Sequence, residues 1–271
     1  MSYSETDRNN IEVKDLYGNF FYRKKDTKDT KIPSLFKLTN LKKNYVISFT
    51  SNSYSTELDD SIAEETPWPK KWDSEYSDFL RPSTYIESKR SSITKPISKL
   101  LKQNKATPHL AAKTIIKYCI DTIKSHGRFV AGSGKYANLD IQGANHAFNA
   151  NEAVSETDLV CACVAVLRSA GIPARPILGM TIRNMINGSN RIAPSYAVWG
   201  EYALPNVGWV PFNPRRMRGT VDNLTLEEAW QGLGTMPYLN TRVPMSANFK
   251  LYDMNQSEQQ LRMKLVSSPG E

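Results

Sequence analysis

Thiols and carboxyls close together in the sequence are the side chains that could carry covalent chemistry in this chain. Cys161 and Cys163 follow Glu156 by five and seven residues, and His146 is the histidine nearest to them that could act as a base. A cysteine nucleophile needs a lowered thiol pKa, which a helix N-terminus or a neighbouring cation supplies. Both cysteines fall inside an apolar stretch, so packing is favoured over reactivity. A displaced cysteine enzyme is therefore kept only as the alternative interpretation.

Glu156 and Asp158 could instead form a carboxylate pair for acid–base chemistry or metal binding. Acidic residues at a helix start are already explained by the helix dipole and by capping. A metal site would need a histidine or more acids at ligand spacing, and no such cluster is visible in the sequence. We therefore expect neither a metal nor a cofactor.

The element that must position these residues is the stretch Asn151–Arg175. Ser155 is a favourable N-cap, with Asp158 three residues later in a variant of the capping box. Gly171 supplies a C-terminal cap, and Pro173 prevents the helix from continuing. The apolar residues between them lie on nearly every side, which predicts a buried helix; they are Leu159, Val160, Cys161, Cys163, Val164, Val166 and Leu167.

Three motifs in this region resemble the transglutaminase-like superfamily, whose members have a papain-like cysteine-enzyme fold. The segment LRSAGIPAR, Leu167–Arg175, resembles the segment that follows the nucleophile in that family. YAVWGEY, Tyr196–Tyr202, and GWVPFNP, Gly208–Pro214, resemble its H-A-W-x-E and GW-x-x-x-DP strands. The resemblance covers Ser83–Pro214, about half of the chain.

The resemblance also implies where the family's catalytic residues should stand. Its nucleophilic cysteine precedes the arginine of the LR pair by twelve residues, which here is Glu156. Its histidine lies two residues before the tryptophan of the second motif, which here is Ala197, and its aspartate position holds Asn213. A thiolate–imidazolium pair needs a sulfur, a base and an orienting acid. The resemblance therefore implies a scaffold with a degenerate triad, which is not an enzyme.

The predicted fold class is α+β, with a transglutaminase-like core in which the central buried helix packs on an antiparallel sheet. The sheet strands are expected at residues 176–183, 195–204 and 208–212. Residues 1–75 are predicted to form a small N-terminal β-module and a Pro/Trp linker, and residues 76–220 the core. Residues 221–271 are predicted to be a C-terminal extension with a helix at Leu224–Leu233 and an extended tail.

Composition restricts the class of protein further. The 271 residues are 40% hydrophobic and 23% charged, which is typical of a globular chain with a sizeable core. The net charge of +8 comes from scattered Lys and Arg, so nucleic acid is an unlikely partner. Three cysteines, two of them in one helix, argue against a disulfide framework. The polar N-terminus and the lack of long apolar runs predict no signal peptide and no membrane span.

With its triad degenerate, the core would keep a concave substrate cleft without turnover. The residues expected to line this binding surface are aromatic and basic: Tyr196, Trp199, Trp209, Arg215, Arg216 and Arg218. A protein or a glycan would suit such a surface. The expected role is therefore binding or structural assembly with protein partners, in the cytoplasm or in a phage virion or tail.

Overall fold

The structure is a computed structural model that describes residues 4–6, 12–15, 20–23, 45–48, 51–53, 57–102, 107–131, 138–184, 192–218, 230–234, 242–247 and 249. The helices are α1 (Asp60–Glu65), α2 (Ser91–Lys102), α3 (Pro108–Thr122), α4 (Ala144–Asn149), α5 (Glu156–Ser169) and α6 (Pro214–Arg218), with a 3-10 helix at Ser74–Leu80. The strands are β1 (Ser4–Thr6), β2 (Glu12–Asp15), β3 (Phe20–Arg23), β4 (Tyr45–Ser48), β5 (Ser51–Ser53), β6 (Val130–Ala131), β7 (Asn138–Leu139), β8 (Ala174–Asn184), β9 (Ile192–Leu204), β10 (Gly208–Phe212) and β11 (Arg242–Ala247).

Helix α5 forms the centre of the structure, as its capping pattern predicts. The hydroxyl of Ser155 accepts a hydrogen bond of 3.0 Å from the backbone N–H of Asp158. Every residue from Glu156 to Arg168 is buried. Gly171 follows the helix with a φ of +83°, a conformation that glycine adopts without strain. The expectation of a buried central helix is confirmed.

The main sheet is antiparallel, with the strand order β10–β9–β8–β11. β8 and β9 pair from Ala174 opposite Tyr202 to Asn184 opposite Ile192. A turn with positive φ at Asn206 and Gly208 then joins β9 to β10. Val198 and Tyr202 belong to the same apolar cluster as α3 and α5. The helices therefore cover one face of the sheet, as predicted for an α+β core.

Three short strands, β2, β3 and β4, lie within the predicted N-terminal β-module. β2 pairs with both β3 and β4, giving a three-stranded antiparallel sheet. β1 and β5 form a further antiparallel pair that the sequence did not predict. Most other residues of this predicted module lie outside the described part of the chain.

Residues 57–90, here called the strap, pack on the core. The indole N–H of Trp72 donates to the carbonyl of Gly171 at 2.9 Å. Farther along the strap, the guanidinium of Arg168 donates to the carbonyl of Arg81 at 2.6 Å. The boundary predicted after residue 75 lies inside the 3-10 helix of this strap.

The C-terminal part of the chain is described only in pieces. Leu233 bridges Phe212 at the edge strand β10, and the N–H of Gly234 donates to Pro211. Most of the helix predicted at Leu224–Leu233, and the predicted tail, lie outside the described residues. Among the helices that the structure describes, none is both long and apolar enough to cross a membrane.

Candidate functional site

Glu156 is the first residue of the central helix, where the Ser155 cap fixes the start of α5. Its side chain is almost fully enclosed, because the residue is only 4% exposed. The backbone N–H of Glu156 donates to the carbonyl of Arg128 at 2.7 Å, which closes the segment around residue 128 over this helix end. Burial raises the pKa of the Glu156 carboxyl to about 7, although the charge of Arg215 opposes that rise.

Arg215 reaches Glu156 from the short helix α6, with 3.6 Å between Nη1 and Oε2. Asn213 positions this helix: its side-chain oxygen accepts a hydrogen bond of 3.2 Å from the N–H of Arg216. The N–H of Asn213 is itself held at 2.7 Å by the carbonyl of Gly232. Two of the three predicted triad positions are therefore linked through α6, one as a buried acid and the other as a helix cap.

Ala197, the third predicted triad position, lies on β9 opposite Gly179 of β8. Strand alternation places it on the same face as Trp199 and Glu201. Its methyl group can neither accept nor donate a proton. No group at this position of β9 can therefore serve as the base of a cysteine enzyme.

Asp158 does not form a carboxylate pair with Glu156. Its Oδ1 atom accepts two backbone hydrogen bonds of 2.7 Å, from the N–H groups of Gln142 and Gly143. Asp158 thus anchors the loop that leads into α4, while Glu156 is paired with Arg215. The alternative in which the two carboxyls act together on a metal or a proton has no geometric support among the described residues.

All three cysteines are fully buried and belong to the apolar cluster around α5. Burial raises the pKa of the Cys119 and Cys161 thiols well above their usual value. A buried thiol whose charged form is disfavoured is a poor nucleophile. The alternative interpretation requires a displaced nucleophile at Cys161 or Cys163. Because both thiols are fully buried, a substrate could not reach either of them in this structure.

Comparison with known proteins identifies the family of this region. The model of the transglutaminase-like superfamily matches residues 95–214, a range that contains Glu156, Ala197 and Asn213. Residues 95–214 are therefore similar to the transglutaminase-like superfamily. The resemblance inferred from the sequence motifs is confirmed.

Similarity to solved structures and to curated protein sequences is more limited. A solved structure that resembles the chain is that of a proposed cysteine protease from Cytophaga hutchinsonii, with 17% sequence identity and a TM-score of 0.47. The similar region covers 75% of this chain but only 56% of that protein. No curated protein sequence matches the chain.

Within the transglutaminase-like domain, the motif residues outside the triad hold strands together. Glu201 is fully buried and accepts hydrogen bonds from the Trp199 indole at 3.0 Å and from Arg175 at 2.8 Å. The guanidinium of Arg175 stacks 3.9 Å from the ring centroid of Trp209. One buried ion pair and one cation–π contact thus join β8, β9 and β10, which gives these motif residues a structural role independent of any catalysis.

The two tryptophans predicted to line the binding surface are covered to different extents. Trp199 is 0% exposed, so the prediction that it lines a binding surface is wrong. Trp209 is partly buried, because the rings of Tyr76 and Phe79 in the strap pack edge-on against it, at 5.3 and 4.9 Å between centroids. Tyr196 is the predicted aromatic residue that does face solvent, at 38% exposure.

The three predicted arginines differ in exposure, because Arg218 is partly buried whereas the other two are not. Arg215 and Arg216 are exposed. Arg218 instead donates hydrogen bonds to the carbonyls of Ile120 and Ile123 at the C-terminus of α3. The prediction that Arg218 binds a partner is therefore wrong, because its guanidinium is used to close a helix end.

A buried polar cluster that the sequence did not reveal joins the strap to the transglutaminase-like domain. Lys113 of α3 is fully buried and forms ion pairs with Asp60 and with Glu64, the latter at 2.7 Å. His109, also buried, lies 2.8 Å from Asp60 and 2.6 Å from the hydroxyl of Tyr202. The cluster ties α1, α3 and β9 together.

The same cluster contains the one group of residues suited to a metal ion in the described part of the chain: Asp60, Glu64 and His109. The ammonium of Lys113 contacts both carboxylates. It already supplies the positive charge that a metal would bring, so we assign the cluster a structural role. The sequence alone does not predict this cluster. Asp60 and Glu64 are four residues apart and so share one face of α1, and His109 and Lys113 share one face of α3 in the same way. That spacing does not show that the two helix faces pack against each other.

Proposed function

We propose that this chain is a non-catalytic transglutaminase-like protein that binds a protein partner within a larger assembly. The observation that carries the proposal is the carboxyl of Glu156, buried and paired with Arg215 at the start of α5. The family resemblance assigns the nucleophilic thiol to this position. A carboxyl held there by an arginine cannot form the thioester of a cysteine enzyme.

The other two positions support the same conclusion. Asn213 uses its side-chain oxygen to cap α6, and Ala197 has no polar group. Replacing one triad member could leave residual chemistry, but here the nucleophile, the base and the orienting acid are all different. The buried thiols of Cys161 and Cys163 cannot substitute, because they lack solvent access and a helix N-terminus.

Two kinds of exposed side chain in the domain suit binding. Tyr196 exposes an aromatic ring, and Arg215 and Arg216 expose guanidinium groups. Aromatic and arginine side chains are the residue types most enriched at protein interfaces. The short strands β1 to β5 are further elements through which a virion or tail component could join its neighbours.

An activity assay tests the catalytic half of this proposal. The full chain would be incubated with a glutamine-containing peptide and a fluorescent amine, and separately with a peptide library to detect cleavage. We expect neither amine incorporation nor cleavage. A transglutaminase of the same fold serves as the positive control, and the Cys161→Ser/Cys163→Ser double variant is the matched negative control. Turnover by the native chain that disappears in the double variant would contradict the proposal.

Size-exclusion chromatography and chemical cross-linking at near-physiological salt test the assembly half. We expect a partner-bound or self-associated species under these conditions. A chain that stays monomeric and is not cross-linked to any protein of its natural source would contradict the assembly role.

A further inference from the structure

Four exposed basic residues surround the start of the central helix: Lys124, Arg128, Arg215 and Arg216, here called the basic surface. The backbone brings the first two to this place. The N–H of Val154 donates to the carbonyl of Lys124 at 2.9 Å, and the N–H of Glu156 donates to that of Arg128 at 2.7 Å. Residues 124–128 therefore run beside residues 154–156.

Helix α6 adds the other two basic residues. Arg215 packs against Gly127, where a Cβ atom would lie only 3.2 Å from the Nε atom of the arginine. Gly127 has a φ of +71°, so glycine is favoured there for its backbone conformation as well as for space. The turn at Gly127 thus brings segment 124–128 against Arg215 of α6.

Negative charge on this surface is limited. The side chain of Arg215 is 62% exposed, while that of its partner Glu156 is only 5% exposed. Because burial raises the pKa of Glu156 to about 7, its carboxyl is only partly ionised at neutral pH. Asp140 lies 3.7 Å from the ring of His126, and Glu152 is exposed nearby. Counting the described residues alone, the basic surface therefore carries a net positive charge.

We infer that the basic surface binds an acidic peptide segment of the protein partner. This inference rests on the proposed function and names the chemistry of the partner. Exposed arginines bind carboxylates in a bidentate manner, and charge complementarity gives such contacts their specificity. Four cations grouped around one helix end suit a short acidic segment, whereas duplex DNA is held through phosphate contacts spread along its backbone.

Binding of a fluorescein-labelled polyglutamate peptide to the full chain tests the inference. The Arg128→Glu/Arg216→Glu double variant reverses two charges of the basic surface and leaves the Glu156–Arg215 pair intact. Lys70→Glu/Lys71→Glu is the matched control, since both lysines are exposed on the strap and the change in net charge is the same. Circular dichroism confirms that each variant is folded.

We expect the intact chain to bind polyglutamate but not polyglutamine, and added salt to weaken the binding. The Arg128→Glu/Arg216→Glu variant should bind at least about tenfold more weakly, and the control within about twofold of the intact chain. Lack of polyglutamate binding, equal weakening by both variants, or tighter binding of random-sequence duplex DNA would each overturn the inference. None of these results bears on catalysis, because the absence of thiol-dependent turnover is measured separately.

Discussion

The substitution Asp60→Asn tests whether the buried cluster is what holds the strap on the domain. Asp60 accepts hydrogen bonds from His109 and Lys113, two fully buried donors, through its two carboxylate oxygens. Asparagine keeps the size of the side chain but removes its charge, and it turns an amide N–H₂ group toward one of the two donors.

The expected cost follows from the remaining contacts. Removing one partner of a buried ion pair costs about 3–5 kcal/mol, because the other charge stays buried without compensation. Glu64 still lies 2.7 Å from the ammonium of Lys113, so we expect the lower end of that range, about 3 kcal/mol. This is a large part of a typical total stability of about 5–15 kcal/mol.

Urea denaturation followed by tryptophan fluorescence measures this cost. The matched control is Asp121→Asn, which breaks the pair between Lys117 and Asp121, whose side chains are 33% and 46% exposed. An exposed pair of this kind contributes about 0.5 kcal/mol. In a Lys113→Met background, the Asp60→Asn change should cost clearly less, because the buried cation is gone. If Asp60→Asn costs no more than the control substitution, the cluster does not hold the strap.

The pH dependence of the same difference provides an independent check. Burial alone would raise the pKa of Asp60, but its hydrogen bonds to His109 and Lys113 outweigh burial and lower it below the ordinary 3.8. A carboxyl with a lowered folded pKa stabilises the protein above its unfolded pKa, and this contribution is lost as the pH falls through the folded pKa. The difference between the intact chain and Asp60→Asn should therefore persist at neutral pH and shrink below about pH 4.

Three further substitutions give smaller, separate tests, all by urea denaturation. Glu156→Gln should stabilise the chain by about 1–3 kcal/mol more at about pH 8 than at about pH 5, because the carboxyl's pKa is raised to about 7 and its ionisation opposes folding as the pH rises; an effect that does not change with pH would contradict this. Ser155→Ala should cost about 1 kcal/mol through loss of the α5 cap, and no change would show that the cap is dispensable. Gly200→Ala should cost about 1–3 kcal/mol or more, because its Cβ would lie 2.1 Å from the ring of Phe212, whereas a neutral result would mean that the ring can move aside.

The central helix and the strands after it could be predicted from the sequence, because their determinants are local. The Ser155 cap, the Gly171 stop and the alternation along β9 all act within a few residues. The family motifs added the order in which these elements pack. The strands β2, β3 and β4 fall within the β-module predicted for the N-terminal residues, since β-branched and aromatic bias is local as well.

The strap and the roles of individual site residues could not be predicted, because they depend on contacts between distant segments. Lys113, for example, donates a hydrogen bond to Asp60, which lies 53 positions earlier in the chain. Trp199 was wrongly assigned to a binding surface. Alternation along β9 tells which side chains share a face of the sheet, but it does not show that both faces are covered by other residues. Arg218 was misassigned because a run of arginines does not distinguish exposed guanidinium groups from one that caps the end of α3.

The central claim is that Glu156 stands where the family places its nucleophile and that no cysteine replaces it. Iodoacetamide labelling at neutral pH, mapped by mass spectrometry, tests this claim in the native chain and in the Glu156→Cys/Ala197→His/Asn213→Asp variant. We predict no rapidly labelled thiol in the native chain, and in the variant one thiol, at position 156, that reacts faster than Cys161 or Cys163. Rapid labelling of Cys161 or Cys163 in the native chain, or an inert thiol at position 156 in a folded variant, would contradict the account.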